Sequence, residues 1–175
     1  MEGVTIVYFE QKQAVCDNAD ASTLFDKGEM NSATDKGIVS YGGVEFGECV
    51  KMESKTEGYI TPTSNCNITL VFGSTNSSPK VMVDETTAIL TKTDNAYIYT
   101  FTGKAGDTFK VHKGSKGTTN TFLYAIFFEP IATGIANTTT SGTKSDKTAK
   151  YLKDGKLVID RHGEHYTVLG VHTNK

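Results

Sequence analysis

Thr121-Phe122-Leu123-Tyr124-Ala125-Ile126-Phe127-Phe128 decides the fold. After its first residue every side chain is apolar or aromatic, and Glu129-Pro130 closes the run. Simple alternation puts Phe122, Tyr124, Ile126 and Phe128 on one face and Leu123, Ala125 and Phe127 on the other, so both faces are apolar and the strand belongs in mid-sheet. Residues 96–101 follow the same period. Tyr97, Tyr99 and Phe101 share one face and Ile98 and Thr100 the other.

Outward from these two segments the chain reads as short runs, rich in β-branched and aromatic residues, punctuated by Gly, Asn, Asp and Ser. Further strands are predicted at 4–9, 38–41, 44–46, 49–53, 59–61, 68–72, 80–83, 88–90 and 108–112. Gly42-Gly43 supplies a hairpin turn and residues 103–107 another, while residues 20–30 leave room for a short helical turn. Eight or more short strands predict an all-β fold, an antiparallel β-sandwich of jelly-roll-like form.

Composition narrows the functions available. Eighteen Lys and Arg against 20 Asp and Glu give a net charge of -2, with no basic block and no Gly-rich phosphate loop, so nucleic acid is not an expected partner. No apolar run is long enough to cross a bilayer, and Met1-Glu2-Gly3-Val4 does not read as a signal region; the start is equally that of a piece cut from a longer secreted precursor. Cys16, Cys49 and Cys66 are odd in number and form no CxxC pair, so at most one disulfide can form. Of the histidines His112, His162, His165 and His172, three lie in the tail, where the i, i+3 spacing of His162 and His165 places them on opposite faces of a strand.

Composition also divides the chain. A β-sandwich body is expected over residues 1–129, a Thr/Ser/Gly/Lys-rich linker over 130–149, where apolar groups are too few to offset the entropy of ordering, and a terminal hairpin over 150–175. Within that last segment Leu157-Val158-Ile159 and Tyr166-Thr167-Val168-Leu169-Gly170 each follow a turn signal, Asp154-Gly155 and His162-Gly163.

The order of motifs in the body resembles a non-catalytic carbohydrate-binding β-sandwich of pectate lyases and related polysaccharide-active proteins from Bacteroidetes and the rumen. The motifs are Val50-Lys51-Met52-Glu53-Ser54, Tyr59-Ile60-Thr61-Pro62, Ile68-Thr69-Leu70-Val71-Phe72, Lys80-Val81-Met82-Val83-Asp84, Ala105-Gly106-Asp107-Thr108-Phe109-Lys110-Val111-His112-Lys113-Gly114 and Thr121-Phe122-Leu123-Tyr124-Ala125-Ile126. They cover about residues 25–129. Glu85 stands where that pattern often has Gly after the Val-Asp pair, which leaves the turn type there open. The last 25 residues are similar to the C-terminal sorting segment of secreted Bacteroidetes-type proteins, which closes multi-domain polysaccharide-degrading enzymes. The resemblance implies a secreted or cell-surface protein, part of a larger multi-domain enzyme, whose partner is plant cell-wall polysaccharide, pectin or hemicellulose.

The residues themselves carry no catalytic pattern. Glu45, Glu48, Glu53 and Glu57 read as solvated strand faces, Cys49 lacks a histidine signature, and Ser40, Ser54 and Ser64 lack a nucleophile elbow. A binding function is therefore expected and an enzyme is not; an adhesin or protein-interaction sandwich is the alternative, and a small lyase or esterase a third. The chain has no Trp, so sugar recognition falls to Tyr with Lys and Asn, a combination suited to an anionic or heavily hydroxylated polymer. The candidate binding residues are Lys51, which points away from Val50 and Met52, Lys113, Lys116 and Asn120 in and around a polar loop between strands, and Tyr59, Tyr97 and Tyr99 as stacking platforms. No cofactor is expected, although Asp84, Glu85, Asp94 and Asn95 are oxygen donors near turns that suit a structural calcium.

Overall fold

A computed structural model describes residues 3–74, 78–114 and 120–131, and the backbone of three strands between 148 and 167. The chain separates into two compact units, Met1–Ile131 and Ala132–Lys175.

The first unit opens with β1 (Thr5–Glu10), β2 (Gln13–Cys16), a single helical turn α1 (Ala21–Leu24), β3 (Phe25–Asp26) and β4 (Asn31–Ala33). It continues with β5 (Val39–Tyr41), β6 (Val44–Phe46), β7 (Cys49–Met52), β8 (Glu57–Ile60), β9 (Cys66–Ser74) and β10 (Val81–Val83). It ends with β11 (Thr86–Thr87), β12 (Thr91–Lys92), β13 (Tyr97–Gly103), β14 (Phe109–Lys113) and β15 (Thr121–Pro130). An eight-stranded sheet runs β12-β13-β9-β15-β1-β2, with β7 beside β15 and β4 beside β7; a five-stranded sheet runs β11-β10-β14-β8-β3. Every pairing is antiparallel, so the expected all-β sandwich is the fold.

Two cores result. The first fills the space between the sheets with Val7, Val50, Met52, Leu70, Phe72, Leu123 and Ile126 from the larger and Phe25, Ile60, Val81 and Val111 from the smaller. The second lies on the outer face of the eight-stranded sheet, where the β5-β6 hairpin closes Val39 and Phe46 over Cys49, Val71, Phe122, Tyr124, Ala125 and Phe127. β15 is buried on both faces, as its composition predicts. Its alternation differs from the expected one because the register slips between Leu123 and Ala125. That bulge sends Tyr124 and Ala125 to the same side, so Leu123, Ile126 and Phe128 face the inter-sheet core while Phe122, Tyr124, Ala125 and Phe127 face the outer one. Gly73 on β9 makes the room: a Cβ there would lie 2.6 Å from the Tyr124 ring. The Tyr124 hydroxyl donates to the Lys36 and Gly37 carbonyls at 3.0 and 3.3 Å, which satisfies its one polar group inside an apolar site.

The Gly42-Gly43 hairpin forms as expected, with φ of 60° and 79° at the two glycines. At the β10-β11 turn the positive φ, 52°, falls on Asp84, so the position of Glu85 does not require glycine. Residues 88–90 are not a strand. They carry the chain from one sheet to the other, burying Ala88 and half-burying Leu90 in the inter-sheet core. The three cysteines are free, Cys49 and Cys66 buried and Cys16 half-buried.

In the second unit β16 (Thr148–Lys153), β17 (Lys156–Arg161) and β18 (Glu164–Thr167) form a three-stranded antiparallel sheet, where two runs of a hairpin were expected. The additional strand, β16, is drawn mainly from polar residues and pairs along its full length with β17. Lys153 pairs with Lys156 and Arg161 with Glu164, so the strands meet at the two predicted turn dipeptides, which themselves lie outside the described residues, as do 168–170.

Candidate functional site

Three connections cross between the sheets at one end of the sandwich: residues 53–56 from β7 to β8, 75–80 from β9 to β10, and 114–120 from β14 to β15. The register shows the shared end, because Thr121 sits opposite both Met52 and Ser74, and Val81 opposite Lys113. Lys51, on the outward side of β7 opposite Phe122 and Asn31, reaches Glu53 with its Nζ 2.7 Å from Oε1. The Glu53 turn is closed from both directions, its N–H donating to Thr56 Oγ1 at 2.8 Å and its carbonyl accepting from Thr56. The Lys51 hydrogen bond and charge, with the charge of Lys113 added, hold the Glu53 carboxyl below its usual range. Lys51 pairs directly with Glu53, and Lys113, borne by the other sheet, ends its strand at the same end of the sandwich. Asn120 enters the same end immediately before β15. Lys116 lies outside the described residues.

Sequence reasoning did not single out Lys55 and Lys80, both exposed at this end, or Lys36, close enough to act on the Cys49 thiol two residues from Lys51 on the same face of β7. Their only signal is position at a strand terminus. Which termini share an end is a property of sheet order, invisible to spacing along the chain. The pair Lys51-Glu53 is a surface ion pair, with both side chains more than a third exposed, and such pairs are worth about 0–1 kcal/mol, so Lys51 can exchange Glu53 for another acceptor at little expense.

Tyr97 and Tyr99 do not join this end. Tyr97 and Tyr99 face the inter-sheet core and are half-buried; Tyr99 stacks on Phe101 with centroids 5.6 Å apart, and Phe101 meets Phe109 edge-on at 5.0 Å. Tyr59 stands on the open outer face of the five-stranded sheet, 38% exposed, its hydroxyl donating to Glu57 Oε2 at 2.8 Å. The oxygen donors considered for calcium occupy two separate turns. Asp84 Oδ1 accepts the Lys110 N–H at 2.8 Å and Asn95 Oδ1 the Ser40 N–H at 3.1 Å, so both fasten backbone. Among the described residues no three or more His, Cys, Asp or Glu side chains gather into a metal site. A groove of about 670 Å³ opens beside β2 and α1, lined in part by Asp26, the cross-strand neighbour of Tyr59.

Among the described residues the crossover end offers cationic and amide hydrogen-bond donors. The family model for carbohydrate binding module 77 matches residues 4–126, the span that builds both sheets. The chain belongs to this carbohydrate-binding family. A module of this kind is non-catalytic, in agreement with the absence of an acid-base pattern in the sequence. No curated protein matches the chain. It is similar to a solved structure from a study of glycan recognition by the Ruminococcus flavefaciens cellulosome, with 21% identity and a TM-score of 0.45 over 63% of this chain and 84% of that one. It is also similar to the catalytic unit of a thermostable GH87 α-1,3-glucanase from Streptomyces thermodiastaticus strain HF3-3, with 11% identity and a TM-score of 0.36 over 60% of this chain; the match spans a quarter of the glucanase unit. Among the described residues of the module no helix is long and apolar enough to cross a membrane.

Proposed function

We propose that this carbohydrate-binding module recognises plant cell-wall polysaccharide, pectin or hemicellulose, through the crossover end, and delivers an attached polysaccharide-degrading enzyme to it outside the cell. The observation that carries the reading is the exposed Lys51-Glu53 pair, 2.7 Å apart, at the end of the sandwich where Lys113 closes β14 and Asn120 precedes β15. An ammonium paired so weakly engages a uronate carboxylate by exchange, and the amide reaches sugar hydroxyls. Several weak contacts then act together, and tethering converts them into high local concentration of the catalyst.

Calorimetry tests it. Oligogalacturonate should bind wild type and lose about tenfold or more in affinity with Lys51→Ala or Lys113→Ala, since a hydrogen bond to a charged group contributes roughly 1.5–3 kcal/mol. Added salt should weaken the binding, whereas neutral galactan, xyloglucan or xylan should be nearly indifferent to it. Wild-type affinity in both variants, at low and high salt, rejects the lysine-bearing end as the site.

The remaining organisation belongs to the same proposal: residues 130–149 act as a linker and 150–175 as a sorting-like segment. Removing residues 132–175 should then leave the melting temperature and glycan affinity of the body unchanged. A loss of cooperative unfolding would show that the terminal segment supports the body.

A further inference from the structure

The outer face of the five-stranded sheet carries a second constellation, which begins at Glu57 and His112 beside the crossover end and runs away from it along β8 and β14. Across β3, β8 and β14 it presents Asp26, Tyr59 and Lys110 as one cross-strand row, and beside it Glu57, His112 and Met82 as another. The row of three spans two strand spacings, about 10 Å. Tyr59 is held in place before any ligand arrives: its hydroxyl donates to Glu57, whose other oxygen lies 3.4 Å from Lys110 Nζ, and the Lys110 backbone is itself fastened to Asp84. The strand cannot turn Tyr59 inward, because Gly58 faces the core with the Phe25 ring 2.9 Å from where a Cβ would stand.

We infer that this face is a second glycan surface, which takes a neutral pyranoside chain across Tyr59. The inference rests on the reading that the module binds polysaccharide. The ring offers an apolar face to sugar C–H groups. Each carboxylate oxygen of Glu57 keeps a lone pair beyond its present contact, Asp26 adds another carboxylate, and Lys110 adds donors, which together match vicinal hydroxyls. Charge then selects the occupant. Two carboxylates against one ammonium disfavour a polyuronate, the reverse of the crossover end, where Lys51 pairs with Glu53 and Lys55, Lys80 and Lys113 lie on or beside the crossover connections. One module thus offers an anionic stretch and a neutral stretch of polymer two different surfaces, and a chain that contains both engages them together.

The test is amide chemical-shift mapping on the isotopically labelled full chain, titrated separately with oligogalacturonate and with neutral β-1,4-galactan, xyloglucan and cello-oligosaccharides at two salt concentrations. At least one neutral series should shift the amides of Tyr59, Lys110 and His112 equally at both salts. Tyr59→Ala should weaken that binding tenfold or more, Tyr59→Phe should retain most of it, and both should leave oligogalacturonate at Met52, Glu53 and Gly114 unaffected. Unshifted β8 and β14 amides with every neutral series, or an unaltered affinity in Tyr59→Ala, overturns the second surface. Loss of oligogalacturonate binding by Lys51→Ala is read in the same experiment, so failure of either surface is distinguishable from failure of the other.

Discussion

The outer faces of the two sheets meet solvent in opposite ways. On the eight-stranded sheet a hairpin and the buried ring of Tyr124 convert the outer face into a second core, whereas on the five-stranded sheet the outer face stays open and carries Tyr59, Glu57, Lys110 and His112. Both faces hold a tyrosine whose hydroxyl is hydrogen-bonded. One is packing and the other is available chemistry, and the difference lies in what covers the sheet. A strand apolar on both faces announces a covered sheet; a strand alternating Gly58-Tyr59-Ile60 announces an open one.

Truncation of the two tyrosines should separate the faces most sharply. Tyr124→Ala opens a cavity and strips two carbonyls of their donor, so unfolding in urea should show a loss of about 3–5 kcal/mol. Tyr59→Ala should fall within about 0.5 kcal/mol of wild type, the range of ordinary surface changes. Equal losses would break the comparison.

Titration sharpens it next. Burial pushes the Cys49 thiol up to about 12 from an ordinary value near 9, and burial likewise raises the Tyr124 hydroxyl. The folded state keeps protons that the unfolded state releases, so the benefit is complete below about pH 9 and is lost as pH rises towards 12. The free energy of unfolding in urea should decline over that window with a slope of about 1.4 kcal/mol per pH unit from Cys49 alone, and Cys49→Ala should remove that part. A smaller loss, about 1–3 kcal/mol by thermal or urea unfolding, is expected for Gly73→Ala, whose new methyl strikes the Tyr124 ring. The smallest effect belongs to Lys51→Ala, which should leave stability within about 0.5 kcal/mol while altering binding, because its ion pair with Glu53 is exposed.

Sequence patterning made the sandwich legible wherever strands alternate or are wholly apolar, as at β9, β13 and β15. It did not reach β2, β3 and β4, since Gln13-Ala14-Val15-Cys16, Phe25-Asp26 and Asn31-Ser32-Ala33 are short edge pieces held chiefly by backbone pairing to a neighbour. The bulge in β15 is equally silent, for it depends on the space that Gly73 leaves on the next strand. Residue type and strand termini bring Lys51, Lys113 and Asn120 forward as candidates, and the fold places all three at one end of the sandwich. Tyr97 and Tyr99 turn to the inter-sheet core and Tyr59 to the open face of the other sheet, because the face on which each stands follows from which sheet its strand joins.

The position of β15 also constrains how the chain comes into being. It is the sole link in the eight-stranded sheet between β9 with its neighbours and the pairs β1-β2 and β4-β7, and β1 pairs with it from more than a hundred residues away. Without β15 the strands of the larger sheet have no partner that joins them. Folding therefore awaits the last strand and proceeds with the slow kinetics of distant contacts. During that interval the nascent module is most exposed to aggregation and most dependent on chaperones.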